Sequence, residues 1–255
     1  MKRLILALPL AIFCAGCPSN EEATVETTTS DTTTSVAPTA VATTDATAAA
    51  TPVAEYRVVD EAGQGLPQPA VDALAKAKVP PPPADMEVPD TARVRLQTSQ
   101  GPITVELNGK AAPLHVKSFL HLTELGFYNG TQFHRYEPDF VIQGGDPLTK
   151  NEATREFGGV GGPGYNVPRE KNELAHEAMV IAAARSADPD SAGSQFYFTL
   201  KPSAFLDDGD GYTVFGKVVD GEANVLKLRK DDTLQNVTVL TGPANPANKT
   251  KPATD

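Results

Sequence analysis

Of the side chains that carry covalent chemistry in enzymes, cysteine is missing from the body of this 255-residue chain. Its two cysteines, Cys14 and Cys17, both lie in the first 17 residues. The rest of the chain therefore offers no thiolate nucleophile, no cysteine zinc site and no internal disulfide framework. Four histidines remain, His115, His121, His134 and His176, and none forms an H-x-x-x-H or H-x-H pair. His115 and His121 are six apart, which is poor spacing for one helix face, so no metal site is expected. There is no G-x-S-x-G and no dinucleotide or P-loop fingerprint behind a strand. The run Gly158 to Gly164 is glycine-rich but precedes no helix and carries no Lys-Ser/Thr pair, so it reads as a tight rim loop rather than a phosphate cradle. What the chain does concentrate, between Phe127 and Pro147, is an imidazole (His134), a guanidinium (Arg135), an aromatic ring (Phe140) and a carboxamide (Gln143) beside Gly144-Gly145. Alone, Arg135 would read as a surface ion pair and His134 as a possible general base.

Short elements must position these groups. Arg93 to Thr98 alternates polar and apolar, as does Ile103 to Leu107, and Ser99-Gln100-Gly101 between them predicts a β-hairpin. Pro113 fits the first position of a helix that Gly126 closes, with Val116, Phe119, Leu120 and Leu122 on its apolar face. Further strands are predicted at Phe140 to Gln143, Met179 to Ala182, Gln195 to Thr199, Thr213 to Val218 and Gln235 to Leu240, with a second short helix over Glu222 to Lys230. Many short strands, glycine turns and two helices suggest a mainly β fold closed into a barrel.

Four motifs then fall in a recognisable order: Phe127-Tyr128-Asn129-Gly130-Thr131-Gln132-Phe133-His134-Arg135 running on to Gln143-Gly144-Gly145-Asp146-Pro147; Gly161-Gly162-Pro163-Gly164-Tyr165; Ala192-Gly193-Ser194-Gln195-Phe196-Tyr197; and Gly211-Tyr212-Thr213-Val214-Phe215-Gly216-Lys217-Val218. Together they closely resemble the signature of the cyclophilin-type peptidyl-prolyl cis-trans isomerases, over about Ala92 to Leu240. The resemblance implies an eight-stranded antiparallel closed β-barrel capped by two helices, with a groove on its outer face that takes proline-containing polypeptides. Carried over by position, Arg135 is the catalytic residue, supported by Phe140 and Gln143. The substrate-binding set is Val141, Ala184, Arg185, Gln195, Tyr197, Phe205, Leu206 and Tyr212. His134 is read as a hydrogen-bonded structural histidine.

That assignment suits the reaction the resemblance implies. Rotation about an X-Pro bond must overcome amide resonance, a barrier of ~18–20 kcal/mol. No bond is made or broken, so neither nucleophile nor cofactor is required. The twisted state frees the lone pair of the proline nitrogen, and a guanidinium binds that lone pair better than the planar amide. Against the best-known eukaryotic members, Phe205 stands for a tryptophan, Tyr197 for a phenylalanine, Val141 for a methionine and Tyr212 for a histidine. Phe205 loses an indole N–H donor, so weak inhibition by cyclosporin-type ligands is expected. Tyr197 brings a hydroxyl near the proline pocket. Leu148 to Phe157 looks like an insertion.

The flanks are of another kind. Lys2-Arg3 followed by the apolar run Leu4 to Phe13 reads as a secretion signal over residues 1–16, too short to span a bilayer. Cys14-Ala15-Gly16-Cys17 resembles a bacterial lipobox, which implies lipid on Cys17 and a site in the cell envelope, facing the periplasm from what is expected to be the outer membrane. Residues 17–54 are rich in Thr and Ala with no aromatic side chain, a composition expected to form a disordered tether. Residues 55–90 are read as a spacer with a short helix and the polyproline stretch Pro80 to Pro83. The isomerase domain spans 91–242 and 243–255 is a loose tail. The net charge of −10 gives no general attraction to nucleic acid, and no strong oligomer interface is evident, so a monomer is expected. The rival reading is an envelope lipoprotein that binds proline segments without turning them over.

Overall fold

The structure is a computed structural model that describes residues 65–241. The signal segment 1–16, Cys17, the tether 17–54, the first residues of the spacer and the tail 243–255 lie outside the described residues. The first helix, α1 (Gln68–Ala77), starts after Pro67 and buries Ala70 and Leu74. The hairpin follows as β1 (Thr91–Thr98) and β2 (Gly101–Asn108) in unbroken register. β1 buries alternate residues, and Ala92, Val94 and Leu96 face inward against Leu107, Val105 and Ile103, with Thr104 of β2 buried as well.

Helix α2 (Pro113–Glu124) has proline at its first turn and no capping side chain of its own. Glu170, distant in sequence, caps it instead by accepting from the backbone N–H groups of Leu114 and His115 at 2.8 and 2.9 Å. A carboxylate there also suits the positive end of the helix dipole. Eight of its twelve residues are buried, more than one apolar face can supply. The outer side is covered by the segment that reads as a spacer: Pro80 O accepts from His121 Nε2 at 3.0 Å and Ala84 O from Lys117 Nζ at 2.8 Å. Val79, Met86 and Val88 from the same segment pack on the core.

The remaining strands are β3 (Thr131–Gln132), β4 (Arg135–Glu137), β5 (Val141–Gly144), β6 (Val180–Ala183), β7 (Phe196–Thr199), β8 (Val214–Asp220) and β9 (Thr233–Thr241). They form a curled antiparallel sheet, a half-barrel of nine strands ordered β3-β9-β1-β2-β8-β6-β7-β5-β4. Nine strands appear where eight were expected, because the stretch from Thr131 to Glu137 changes partners midway. Phe133 N donates to Asp232 O on one side, and His134 N to Gln143 O on the other. The helix expected over Glu222 to Lys230 is only the single turn α3 (Glu222–Val225). Asp232 captures the Arg229 N–H at 2.7 Å, and the Arg229 guanidinium takes the carbonyls of Leu226 and Leu228. These local bonds compete with helix continuation.

Inside the curl lies an aromatic core in which Phe196 meets Phe119, Tyr128 and Phe198 edge-on at 5.7, 5.8 and 5.7 Å. A separate apolar cluster forms on the opposite face of β5 to β8, from Val141, Val180, Ala182, Tyr197, Leu206 and Val214. A third joins Leu66, Ala70 and Leu74 to Leu148.

Candidate active site

Register builds the site. Directly opposed residues in an antiparallel ladder point to the same face. Arg135 opposes Gln143, Gln143 opposes Tyr197, and Tyr197 opposes Ala182. One transverse row across four strands thus carries the guanidinium, the carboxamide and the tyrosine ring outward, on the face opposite the aromatic core. Two residues along β5, Val141 shares that face and is buried, with Phe140, Ala184 and Tyr212 packed half-buried around the same cluster.

The wall of this apolar patch is a 3-10 turn, Ala204–Leu206. Leu206 faces in and is buried, whereas Phe205 is 63% exposed with its ring 5.4 Å from that of Phe140. Arg135 lies 5.8 Å from the Phe140 ring centre. Its ion pair is with Glu137 at 3.7 Å, and both side chains are about half exposed. Such a pair contributes little, so the guanidinium can turn to a ligand.

Gln143 Nε2 donates to Gln195 Oε1 at 2.9 Å. Gln195 Nε2 donates in turn to the carbonyls of Gly159 and Gly161, both at 2.8 Å. Gln195, expected among the substrate-binding residues, thus joins Gln143 to the glycine loop. Asp146, fully buried, fastens that loop by accepting from the N–H groups of Leu148, Gly159 and Gly161, each at 2.7 Å. Burial holds its carboxyl pKa above the ordinary carboxylate value, and those backbone bonds offset part of the rise. A side chain at Gly161 would put its Cβ 2.2 Å from the Asp146 carboxylate, which is why glycine stands there.

The far rim holds Arg185, whose guanidinium donates twice to Gly211 O, at 3.1 and 2.8 Å, and lies 4.4 Å from the Tyr212 ring centre. It braces the rim loop more than it reaches into the groove. His134 lies behind Arg135, under Gly158. Neither ring nitrogen has a hydrogen-bond partner of good geometry, though the Gln195 side chain is near enough to favour the protonated ring. Burial first, and the Arg135 charge second, lower its pKa to about 4.

Three participants were not singled out from sequence: Asp146, His176 and Asp207. Asp146 was legible in principle, since an Asp before Pro147 is a capping signal. His176 and Asp207 meet only through folding.

A family model described as "Cyclophilin type peptidyl-prolyl cis-trans isomerase/CLD" matches residues 93–244. The chain belongs to the cyclophilin family. Among named relatives, a peptidyl-prolyl cis-trans isomerase-like 2 of Cryptococcus neoformans is 34% identical over 164 residues, covering 60% of this chain and 28% of that protein. The chain thus spans under a third of the length of that relative. The mouse peptidyl-prolyl cis-trans isomerase-like 1 is 40% identical over 149 residues, covering 57% of this chain and 86% of the relative. A cyclophilin-type isomerase of Cryptosporidium parvum, solved in the presence of the dipeptide Ala-Pro, is similar at 26% identity with a TM-score of 0.51, over 58% of this chain and 99% of that one.

Proposed function

We propose that this cyclophilin is an active peptidyl-prolyl cis-trans isomerase that turns X-Pro bonds of exported proteins and so assists their folding. The observation that supports it best is the row Arg135, Gln143, Tyr197 bordering an apolar patch on the outer face of the sheet. Val141, Tyr197, Leu206 and Phe140 hold the proline ring in low dielectric, with Phe205 as an outer flap. Gln143 holds the substrate backbone, positioned by Gln195. Arg135 donates to the proline nitrogen as its lone pair localises, an interaction stronger in the twisted state than in the planar amide. Tyr212, Ala184 and Arg185 form the rim that the flanking residues of the peptide pass.

Two further readings accompany this one. The passage from β3 through Phe133 and His134 to β4 is the seam that would close the sheet into the family's barrel, since these two strands end the strand order and are neighbours in sequence. The protein acts as a monomer held to an envelope membrane by lipid on Cys17, on the strength of the lipobox-like Cys14 to Cys17. Among the described residues no helix is long and apolar enough to cross a membrane. Cell fractionation tests the anchor: wild type should pellet with membranes, and Cys17→Ser should move to the soluble fraction.

The activity is tested without a coupling protease, by NMR exchange between the cis and trans forms of an Ala-Pro peptide. Catalytic amounts of protein should accelerate exchange. Saturable binding with no acceleration would favour the non-catalytic binding module instead.

A further inference from the structure

Tyr197 stands in the pocket with a hydroxyl that the apolar grip on proline does not need. Its ring is buried to 5% exposure, yet the hydroxyl is satisfied: it lies 2.8 Å from His176 Nε2 in a buried hydrogen bond. The two ring planes are within 15° of parallel, with 5.9 Å between centres. The other ring nitrogen of His176, Nδ1, is 2.5 Å from Asp207 Oδ1. A carboxylate can only accept, so Nδ1 carries the proton and Nε2 of the neutral ring accepts from the tyrosine. The backbone of His176 adds to this. Its N–H donates to the Asp207 carboxylate, and its carbonyl accepts from Ser203 N at 2.8 Å. Ser203 and Asp207 flank the turn that carries Phe205 and Leu206. His176 has no exposed side-chain surface, so it touches no substrate itself.

We propose that His176 is a positioning residue of the proline pocket: with Asp207 it clasps the Phe205–Leu206 wall to strand β7 and holds the Tyr197 hydroxyl inside the protein, so that the groove meets only the apolar ring. The tyrosine then presents the surface of a phenylalanine. This rests on the reading of the outer-face patch as the proline pocket. Without the imidazole, the hydroxyl loses its acceptor and draws water or peptide polar groups into the pocket, and the Asp207 end of the wall loses its side-chain tie, while the backbone bond to Ser203 remains.

The test is a double-mutant cycle on the full chain, H176L and Y197F singly and together, reading KM, kcat and the Kd of an Ala-Pro peptide, with Tm for each variant. H176L should raise KM and Kd about tenfold, the scale of one buried group left unsatisfied, with a smaller change in kcat. In the Y197F background the same substitution should cost about threefold or less, because no hydroxyl remains to be freed. Equal losses in both backgrounds would overturn the proposal, since a general structural defect does not depend on the hydroxyl. If H176L fails to fold, D207A serves, because Asp207 is partly exposed, its truncation leaves no buried cavity and, unlike asparagine, alanine keeps no acceptor for His176. It should raise KM in the same direction, and an unchanged KM and Kd would overturn the clasp. If wild type binds peptide but does not accelerate exchange, the isomerase reading fails alone and the cycle on Kd still decides. No binding by wild type contradicts both.

Discussion

His134 sits next to Arg135 as a largely buried, neutral imidazole, and that position has a thermodynamic signature. In the unfolded chain the ring takes up a proton near pH 6.5, whereas in the fold it does so only near 4. Between those values the unfolded state binds more protons, so stability falls as pH drops from about 6.5 to 4 and is flat above that window with respect to this group. The full effect is on the order of 3 kcal/mol. Denaturant midpoints at pH 7 and pH 4.5 should therefore separate more for wild type than for His134→Leu; equal separations would rule out a buried neutral ring. Phe205 carries a second expectation at this scale. It is exposed and lacks an indole N–H, so cyclosporin should inhibit only at micromolar levels or weaker, and Phe205→Trp should tighten inhibition about tenfold, one hydrogen bond's worth. Inhibition titrations of both proteins check this, and a nanomolar constant for wild type would contradict it. The residues of the contiguous run, Arg135, Phe140 and Gln143, were legible in sequence because the motif that holds them is unbroken. His176 and Asp207 were not, because they are 31 residues apart and joined only through the fold. No local pattern marks such a pair.

Period-two patterning located the hairpin, since burial alternates along β1 and the apolar Ile103, Val105 and Leu107 of β2 face the same side. It was silent on the segment before them. The short helix expected there is α1, and it lays Ala70 and Leu74, with Leu66 just before it, on Leu148, with Phe157 and Val160 alongside. That contact makes sense of the Leu148 to Phe157 insertion, which folds as two 3-10 turns, Pro147–Lys150 and Arg155–Phe157, beneath α1. The insertion leads straight into the loop that Asp146 and Gln195 fasten behind Gln143. Leu148 is fully buried, so Leu148→Ala should destabilise the protein by roughly 2–4 kcal/mol. Because its cluster is separate from the aromatic core, hydrogen exchange should rise first in α1 and at Gly159 and Gly161, not in β1 and β2. Uniform loosening across all these amides would argue against α1 as a local brace. The overestimate of α3 has an equally local cause, the Asp232 side chain that takes the Arg229 N–H.

At the scale of the molecule, the division of labour follows from where apolar surface is placed. One face of the sheet closes over the aromatic core, and the other carries a smaller patch that Phe205 leaves partly open. A site that needs no covalent chemistry can be assembled this way from sheet register alone. Family and broad fold were readable because the motifs keep their order. The nine-strand count was not, because it depends on which partner each backbone group finds between Phe133 and Arg135. The most direct test of the proposed chemistry compares wild type with Arg135→Ala, measuring the Kd of an Ala-Pro peptide and its catalysed cis–trans exchange in the same NMR samples. Arg135 is exposed and makes only a weak ion pair, so the fold should persist and Kd should change by no more than about threefold. The exchange rate should fall by about 100-fold or more, the scale for removing a donor that acts chiefly in the transition state. Undiminished exchange with Arg135→Ala, or a loss wholly explained by weaker binding, would contradict the assignment of the reaction to this guanidinium.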